Sequence, residues 1–85
     1  MPYYVYILYS LSSDKYYTGS TSNIEERLKR HNAGATASTK SGRPWKIVFS
    51  REFKLKSDAL KFESYIKKMK SRQFVLELIH SGNAG

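Results

Sequence analysis

Cysteine is missing from this 85-residue chain, which excludes disulfides and thiolate metal sites and is compatible with a reducing compartment. No stretch approaches the roughly 20 apolar residues that a membrane helix needs. The opening Met1-Pro2-Tyr3-Tyr4 has neither the basic start nor the apolar run of a secretory signal, so the cytoplasm is the expected location. Acidic side chains are scarce, seven against fifteen basic, for a formal charge of +8. Such an excess fits a polyanionic partner: nucleic acid first, an acidic membrane surface or acidic protein second. Also absent are a glycine-rich phosphate loop, a Cys/His metal cluster and a Ser-His-Asp arrangement.

What is present is aromatic and periodic. Seven tyrosines dominate, each an apolar ring carrying one hydroxyl that needs a partner or water. The length predicts one domain over residues 1–81, with 82–85 as a disordered tail. Tyr3 to Tyr9 interleaves tyrosine with Val5 and Ile7, the pattern of a central strand covered on both faces. Leu11 to Lys15 carries turn chemistry, and Tyr16-Tyr17-Thr18-Gly19 returns as a second strand. If Leu8 pairs with Tyr17, Tyr6 faces Gly19 and both phenols share one face; a slip of one residue separates them.

Ser22 with Glu25 and Asn23 with Glu26 match capping boxes, and Ile24, Leu28 and His31 form the stripe of a helix that Asn32 and Gly34 close. Residues 33–44 are small, polar and breaker-rich, and read as a mobile loop with one helical turn at most. Trp45, Ile47, Phe49 and Phe53 alternate with Lys46, Val48, Ser50 and Glu52, which predicts a strand with one buried face. A long helix opens at Ser57 or Asp58, with Leu55 before it and Ala59, Phe62, Ile66 and Met69 as its stripe. Phe74 to Ile79 suits a short helix packing back on the sheet. The order β-β-α-loop-β-α-α predicts the α+β class: a small antiparallel or mixed three-stranded sheet flanked by helices.

Five residues invite chemical readings. Arg27 borders the first helix's apolar stripe and has no carboxylate four residues before or after it, unlike Lys29 and Arg30. A guanidinium aimed toward the sheet suits a phosphate oxygen; otherwise its stem covers the core edge and its head reaches water. Glu63 is a candidate carboxylate for one divalent metal, or the partner of Lys67 four residues on. Tyr6 and Tyr17 are either packed strand residues or phenols that handle a proton. His31, one turn after Arg27, is either a site residue or a helix-end histidine, and His80 looks incidental. From Lys40 to Arg72 eleven basic residues face three acids, Glu52, Asp58 and Glu63, which favours phosphate contacts.

Taken in order, these residues resemble the GIY-YIG nuclease superfamily. Tyr4-Val5-Tyr6 stands at the first tripeptide, Tyr17-Thr18-Gly19 at the second, Arg27 and His31 on the next helix, and Glu63 on the helix after the third strand. The similarity spans Tyr3 to Ile79 and is greatest to small stand-alone members, which share Arg43-Pro44-Trp45 and the Phe62-Glu63…Ile66-Lys67-Lys68 run. The resemblance implies the GIY-YIG endonuclease fold and hydrolysis of phosphodiester bonds with one divalent ion, Mg²⁺ or Mn²⁺, held by Glu63. It further implies Arg27 stabilising transition-state charge, Tyr17 or Tyr6 helping to deprotonate water, and His31 in the site. Gly19 would permit close approach of the phosphate, and Lys40, Arg43, Lys67 and Lys68 would contact nucleic acid, DNA ahead of RNA. Ser20 stands where some active relatives carry a lysine. The alternatives are a binding module that no longer turns over, and an interaction protein using the Lys54–Arg72 face.

Overall fold

The computed structural model describes residues 1–83. Three strands, β1 (Tyr3–Ser10), β2 (Lys15–Thr21) and β3 (Trp45–Phe53), form one sheet in the order β2-β1-β3, with both pairings antiparallel. The run of tyrosine and β-branched residues in β1 thus occupies the centre, where Val5, Tyr6, Ile7 and Leu8 are all buried. Pairing of β1 with β2 places Tyr6 opposite Gly19 and Leu8 opposite Tyr17, the register that sets both phenols on one face. The hairpin turn passes through Asp14 at φ 53, a left-handed conformation that a short polar residue tolerates.

Helix α1 (Ile24–Asn32) begins as the capping pattern predicts, with Asn23 Oδ1 accepting from the Glu26 amide at 3.1 Å. It covers one sheet face, where Tyr6, Leu8 and Trp45 pack with Tyr17, Leu28 and Ile47. On the other face lie α2 (Lys56–Met69) and α3 (Arg72–Asn83), which enclose Val5, Ala59 and Ile66 with Phe53, Phe62, Phe74, Val75 and Leu78. Helix α2 opens at Lys56, one residue before the predicted start, and Leu55 and Met69 at its ends are exposed rather than buried. Both residues lie beyond the turns that the sheet can cover. Helix α3 runs through Gly82 and Asn83, the first half of the stretch expected to be a disordered tail; Ala84 and Gly85 lie outside the described residues.

Strand β3 departs from its simple alternation. Ile7 pairs with Phe49 but Leu8 with Ile47, so one extra residue, Val48, is inserted on β3. Trp45 and Ile47 therefore join the α1 layer, whereas Phe53 joins the α2–α3 layer, and the predicted single buried face becomes two. Period counting misses this because a bulge changes the phase of alternation without leaving a gap in it.

The loop between α1 and β3 also differs from expectation. Its centre is a short 3-10 helix (Ala37–Gly42), longer than the single turn expected, and Thr39 within it is fully buried. Three contacts tie it down. The Trp45 indole Nε1 donates to the Thr39 carbonyl at 2.6 Å. The Asn32 side chain clamps Trp45 by donating to its carbonyl at 3.0 Å and accepting from its amide at 2.6 Å. Small polar composition here reflects buried hydrogen bonding, not solvation.

Candidate active site

The α1 face of the sheet holds a buried polar cluster. Tyr6 is 1 % exposed and its hydroxyl meets His31 Nε2 at 3.0 Å. His31, also 1 % exposed, meets Thr39 Oγ1 through Nδ1 at 2.7 Å. Tyr17 packs edge-on to the same imidazole with ring centroids 5.1 Å apart. The half-buried Arg27 lies beside the Tyr6 hydroxyl, close enough for its charge and N–H groups to favour the ionised phenol. Burial nevertheless dominates and pushes the Tyr6 phenol up to about 12. Tyr6 therefore holds its proton more firmly than an exposed phenol does, and its phenolate is scarce near neutrality.

Burial pushes His31 the other way, below its ordinary value, with the cations Arg27 and Arg30 adding to the effect. It is a neutral side chain in the folded protein. The unfolded chain takes up a proton near pH 6.5 that the folded one refuses, so folding stability is complete above that pH and declines below it. Urea unfolding followed from pH 7.5 to 5 should show this decline, and His31→Gln should flatten it.

Glu63 reaches the site around the free edge of β2. Its Oε1 accepts from Ser20 Oγ at 2.5 Å and its Oε2 pairs with Lys67 Nζ at 2.8 Å, with the carboxylate-bearing side chain 17 % exposed. Lys67 in turn stands 5.9 Å from the Tyr17 ring centroid. The helical Glu63–Lys67 pairing foreseen from spacing forms, and it joins the carboxylate to a site phenol. Gly19 is needed for the same packing: a Cβ there would sit 2.5 Å from Tyr6 Oη and 2.7 Å from Cζ.

The remaining cations divide. Lys67 lines a hollow beside β2 together with Lys15, Lys70 and Arg72, adjoining the Glu63 end of the site. Lys68 faces elsewhere, beside Leu60, Lys61 and Tyr65. Lys40 and Arg43 are exposed on the 3-10 segment, where Arg43 Nε donates to the Lys40 carbonyl at 2.8 Å. His80 is exposed near the end of α3, away from the cluster. Thr39 was not singled out as a site group by the sequence, and Ser20 only as standing where some relatives carry a lysine. Thr39 lies among breakers that conceal it, and Ser20 signals its role only through the β2 register with Glu63 across from it.

The fold is thus a small antiparallel sheet that carries two tyrosines, with an arginine and a histidine on α1 and a glutamate on α2 that meets β2. The model of the GIY-YIG catalytic domain matches residues 2–74, and the chain belongs to that family. It is similar to a UPF0213 protein of Clostridium perfringens, 44 % identical over 79 residues that cover 92 % of this chain and 83 % of the relative. A UPF0213 protein of Syntrophus aciditrophicus is 49 % identical over 78 residues, covering 89 % of this chain and 87 % of the relative. The solution NMR structure of a UPF0213 protein from Bacillus halodurans superposes with a TM-score of 0.59 at 33 % identity, covering 94 % of this chain and 84 % of that one. No helix among the described residues is long and apolar enough to cross a membrane.

Proposed function

We propose that this protein is a divalent-metal-dependent endonuclease that hydrolyses phosphodiester bonds in nucleic acid, DNA ahead of RNA. The observation that carries the reading is the run of contacts from Tyr6 to His31, from His31 to Tyr17, from Tyr17 to Lys67 and from Lys67 to Glu63, with the Arg27 charge felt at the Tyr6 hydroxyl. A cation for the phosphate and a carboxylate for a metal therefore flank one phenol cluster.

The donor set fits a hard divalent ion. Glu63 presents carboxylate oxygen at a partly open position, oriented by Ser20, and no three His, Cys, Asp or Glu side chains converge at it or at any other place among the described residues. One carboxylate supplemented by waters and substrate oxygens is a customary way to hold Mg²⁺, and Mn²⁺ accepts the same donors. When bound, such an ion supplies charge neutralisation at the scissile phosphate.

The chain's own groups divide the remaining work. Arg27 binds a non-bridging phosphate oxygen and stabilises the charge that accumulates there in the transition state. Tyr6, its proton retained on the His31 side, positions rather than deprotonates. Tyr17, half-buried between the His31 ring and the Lys67 ammonium, is the phenol available to orient the attacking water. Lys67, paired with Glu63 at 2.8 Å, would be released to contact a phosphate if Glu63 held the ion. Lys15, Lys70 and Arg72, beside it along the β2 edge, extend the basic track for the flanking backbone. A second reading, binding without cutting, draws on Ser20 and Lys67: together they already satisfy both oxygens of Glu63.

A panel of labelled single-stranded, duplex, nicked and branched DNA and RNA, with Mg²⁺ or Mn²⁺, separates these readings. Wild type is compared with Arg27→Ala purified identically. Cutting by wild type that Arg27→Ala reduces on the order of 10²-fold supports the nuclease. Salt-sensitive binding by both proteins with no cutting supports the binding module.

A further inference from the structure

The polar chain on the α1 face has a direction, and that direction starts outside the residues that the proposed chemistry uses. Thr39 Oγ1 lies 3.3 Å from the Thr36 carbonyl, which can only accept. A hydroxyl owns one proton, so a Thr39 that donates to Thr36 must accept from its other neighbour, His31 Nδ1 at 2.7 Å. A neutral imidazole protonated at Nδ1 carries its lone pair on Nε2. Nε2 then accepts the Tyr6 hydroxyl proton across 3.0 Å, and the phenol oxygen's lone pairs are left facing Arg27.

The opposite tautomer reverses every arrow. Thr39 would donate to Nδ1 and abandon the Thr36 carbonyl, and Nε2–H would occupy the Tyr6 oxygen. The Tyr6 proton would then be turned toward the Arg27 cation. The Nδ1–H form gives the Thr39 hydroxyl proton, both imidazole nitrogens and the Tyr6 hydroxyl proton a partner at once, whereas the other form leaves the Tyr6 proton without an acceptor.

We infer that Thr39 is a positioning residue that fixes His31 as the Nδ1–H tautomer, so that Tyr6 donates its hydroxyl proton to His31. The 3-10 segment is held for this purpose from beyond the site. The Trp45 indole fixes the Thr39 carbonyl at 2.6 Å, and the Thr39 amide donates to the Thr36 carbonyl at 3.2 Å, so the hydroxyl is anchored from both sides of its own residue. The effect on the reaction rests on the nuclease reading; the tautomer does not.

The test is a long-range ¹H–¹⁵N correlation spectrum of ¹⁵N-histidine-labelled protein at pH 7.5, in a His80→Gln background that leaves His31 alone. Wild type should show protonated Nδ1 and unprotonated Nε2. Thr39→Val, similar in shape but without the hydroxyl, should move His31 to the Nε2–H form or a mixture, and Thr39→Ser should restore the first pattern. Wild type in the Nε2–H form, or an unchanged pattern in Thr39→Val, overturns the inference. Should Thr39→Val fail to fold, the wild-type and Thr39→Ser spectra decide the question. On a substrate that wild type cuts, Thr39→Val should lower kcat about tenfold with KM nearly unchanged, and Thr39→Ser should recover it. A protein with the Nδ1–H tautomer that cuts nothing would keep this inference and remove the nuclease reading.

Discussion

Glu63→Gln should reduce metal-dependent cleavage on the order of 10²- to 10³-fold while leaving the fold intact. The amide retains an acceptor for Ser20 Oγ, so the contact that orients the side chain survives. What disappears is the negative charge that a divalent cation requires and that Lys67 occupies in its absence. The stability cost is small because the Lys67 side chain is 52 % exposed and the pair is an i,i+4 surface bridge; such pairs contribute about 0–1 kcal/mol after solvent screening. Cleavage assays beside urea denaturation separate the two effects. A Glu63→Gln protein that cuts like wild type would remove Glu63 from the site, and one that unfolds early would make its role structural.

Gly19→Ala should be among the most damaging small substitutions in the molecule. The added methyl would lie 2.5 Å from the Tyr6 hydroxyl and 2.7 Å from the ring carbon bearing it. Neither side can yield cheaply. The ring is pinned in the α1 layer and bonded to His31, and the Gly19 backbone is held in the β1–β2 ladder. Overpacking of this kind costs about 1–3 kcal/mol, and in a chain this short each kcal/mol lowers Tm by roughly 4–8 °C. Tyr6→Phe removes the nearer of the two contacts and should recover part of the loss. The double variant is then less destabilised than the sum of the singles, although Tyr6→Phe alone strands His31 Nε2. Thermal melts of the four proteins measure this coupling; simple additivity would mean that the alanine is accommodated by movement of the strand.

Much of the architecture could be read from residue order. The hairpin is legible there, but its register stays open between the Leu8–Tyr17 pairing and a slip of one residue; the Leu8–Tyr17 pairing is the one that forms. The first helix announced itself through Asn23 and Glu26, whose bond forms as its spacing suggests. Glu63 and Lys67 were legible as a pair for the same local reason. What escaped notice depends on contacts between distant segments. The Val48 bulge is a property of two strands together. The Asp14–Arg72 bridge, 2.7 Å long, joins a hairpin turn to the start of α3 with nothing in either neighbourhood to declare it. Thr39 resembled a loop residue because its burial depends on Trp45 and His31 arriving from either side.

Within the site, residue types indicated the chemistry but not the division of labour. Tyr6 and Tyr17 are indistinguishable as letters. Burial separates them: Tyr6 is sealed beneath Gly19 and tied to His31, whereas Tyr17 keeps part of its surface toward Lys67. Likewise Lys67 and Lys68 are neighbours in sequence, yet a helix turns each residue about 100° from the last, so only one reaches the β2 edge.

The position of β1 also shapes how the chain is made. A ribosome releases the central strand first, and β2 soon afterwards provides one neighbour. The other side of β1 keeps its amides and carbonyls unpaired until Trp45–Phe53 has emerged, with the covering helices α2 and α3 later still. For that interval the nascent protein displays the aromatic run Tyr3–Tyr9 as an open hydrogen-bonding border, the kind of surface that holdase chaperones bind and that neighbouring nascent chains can join. An order that puts the most adhesive segment first makes correct assembly depend on how quickly translation delivers its last partner.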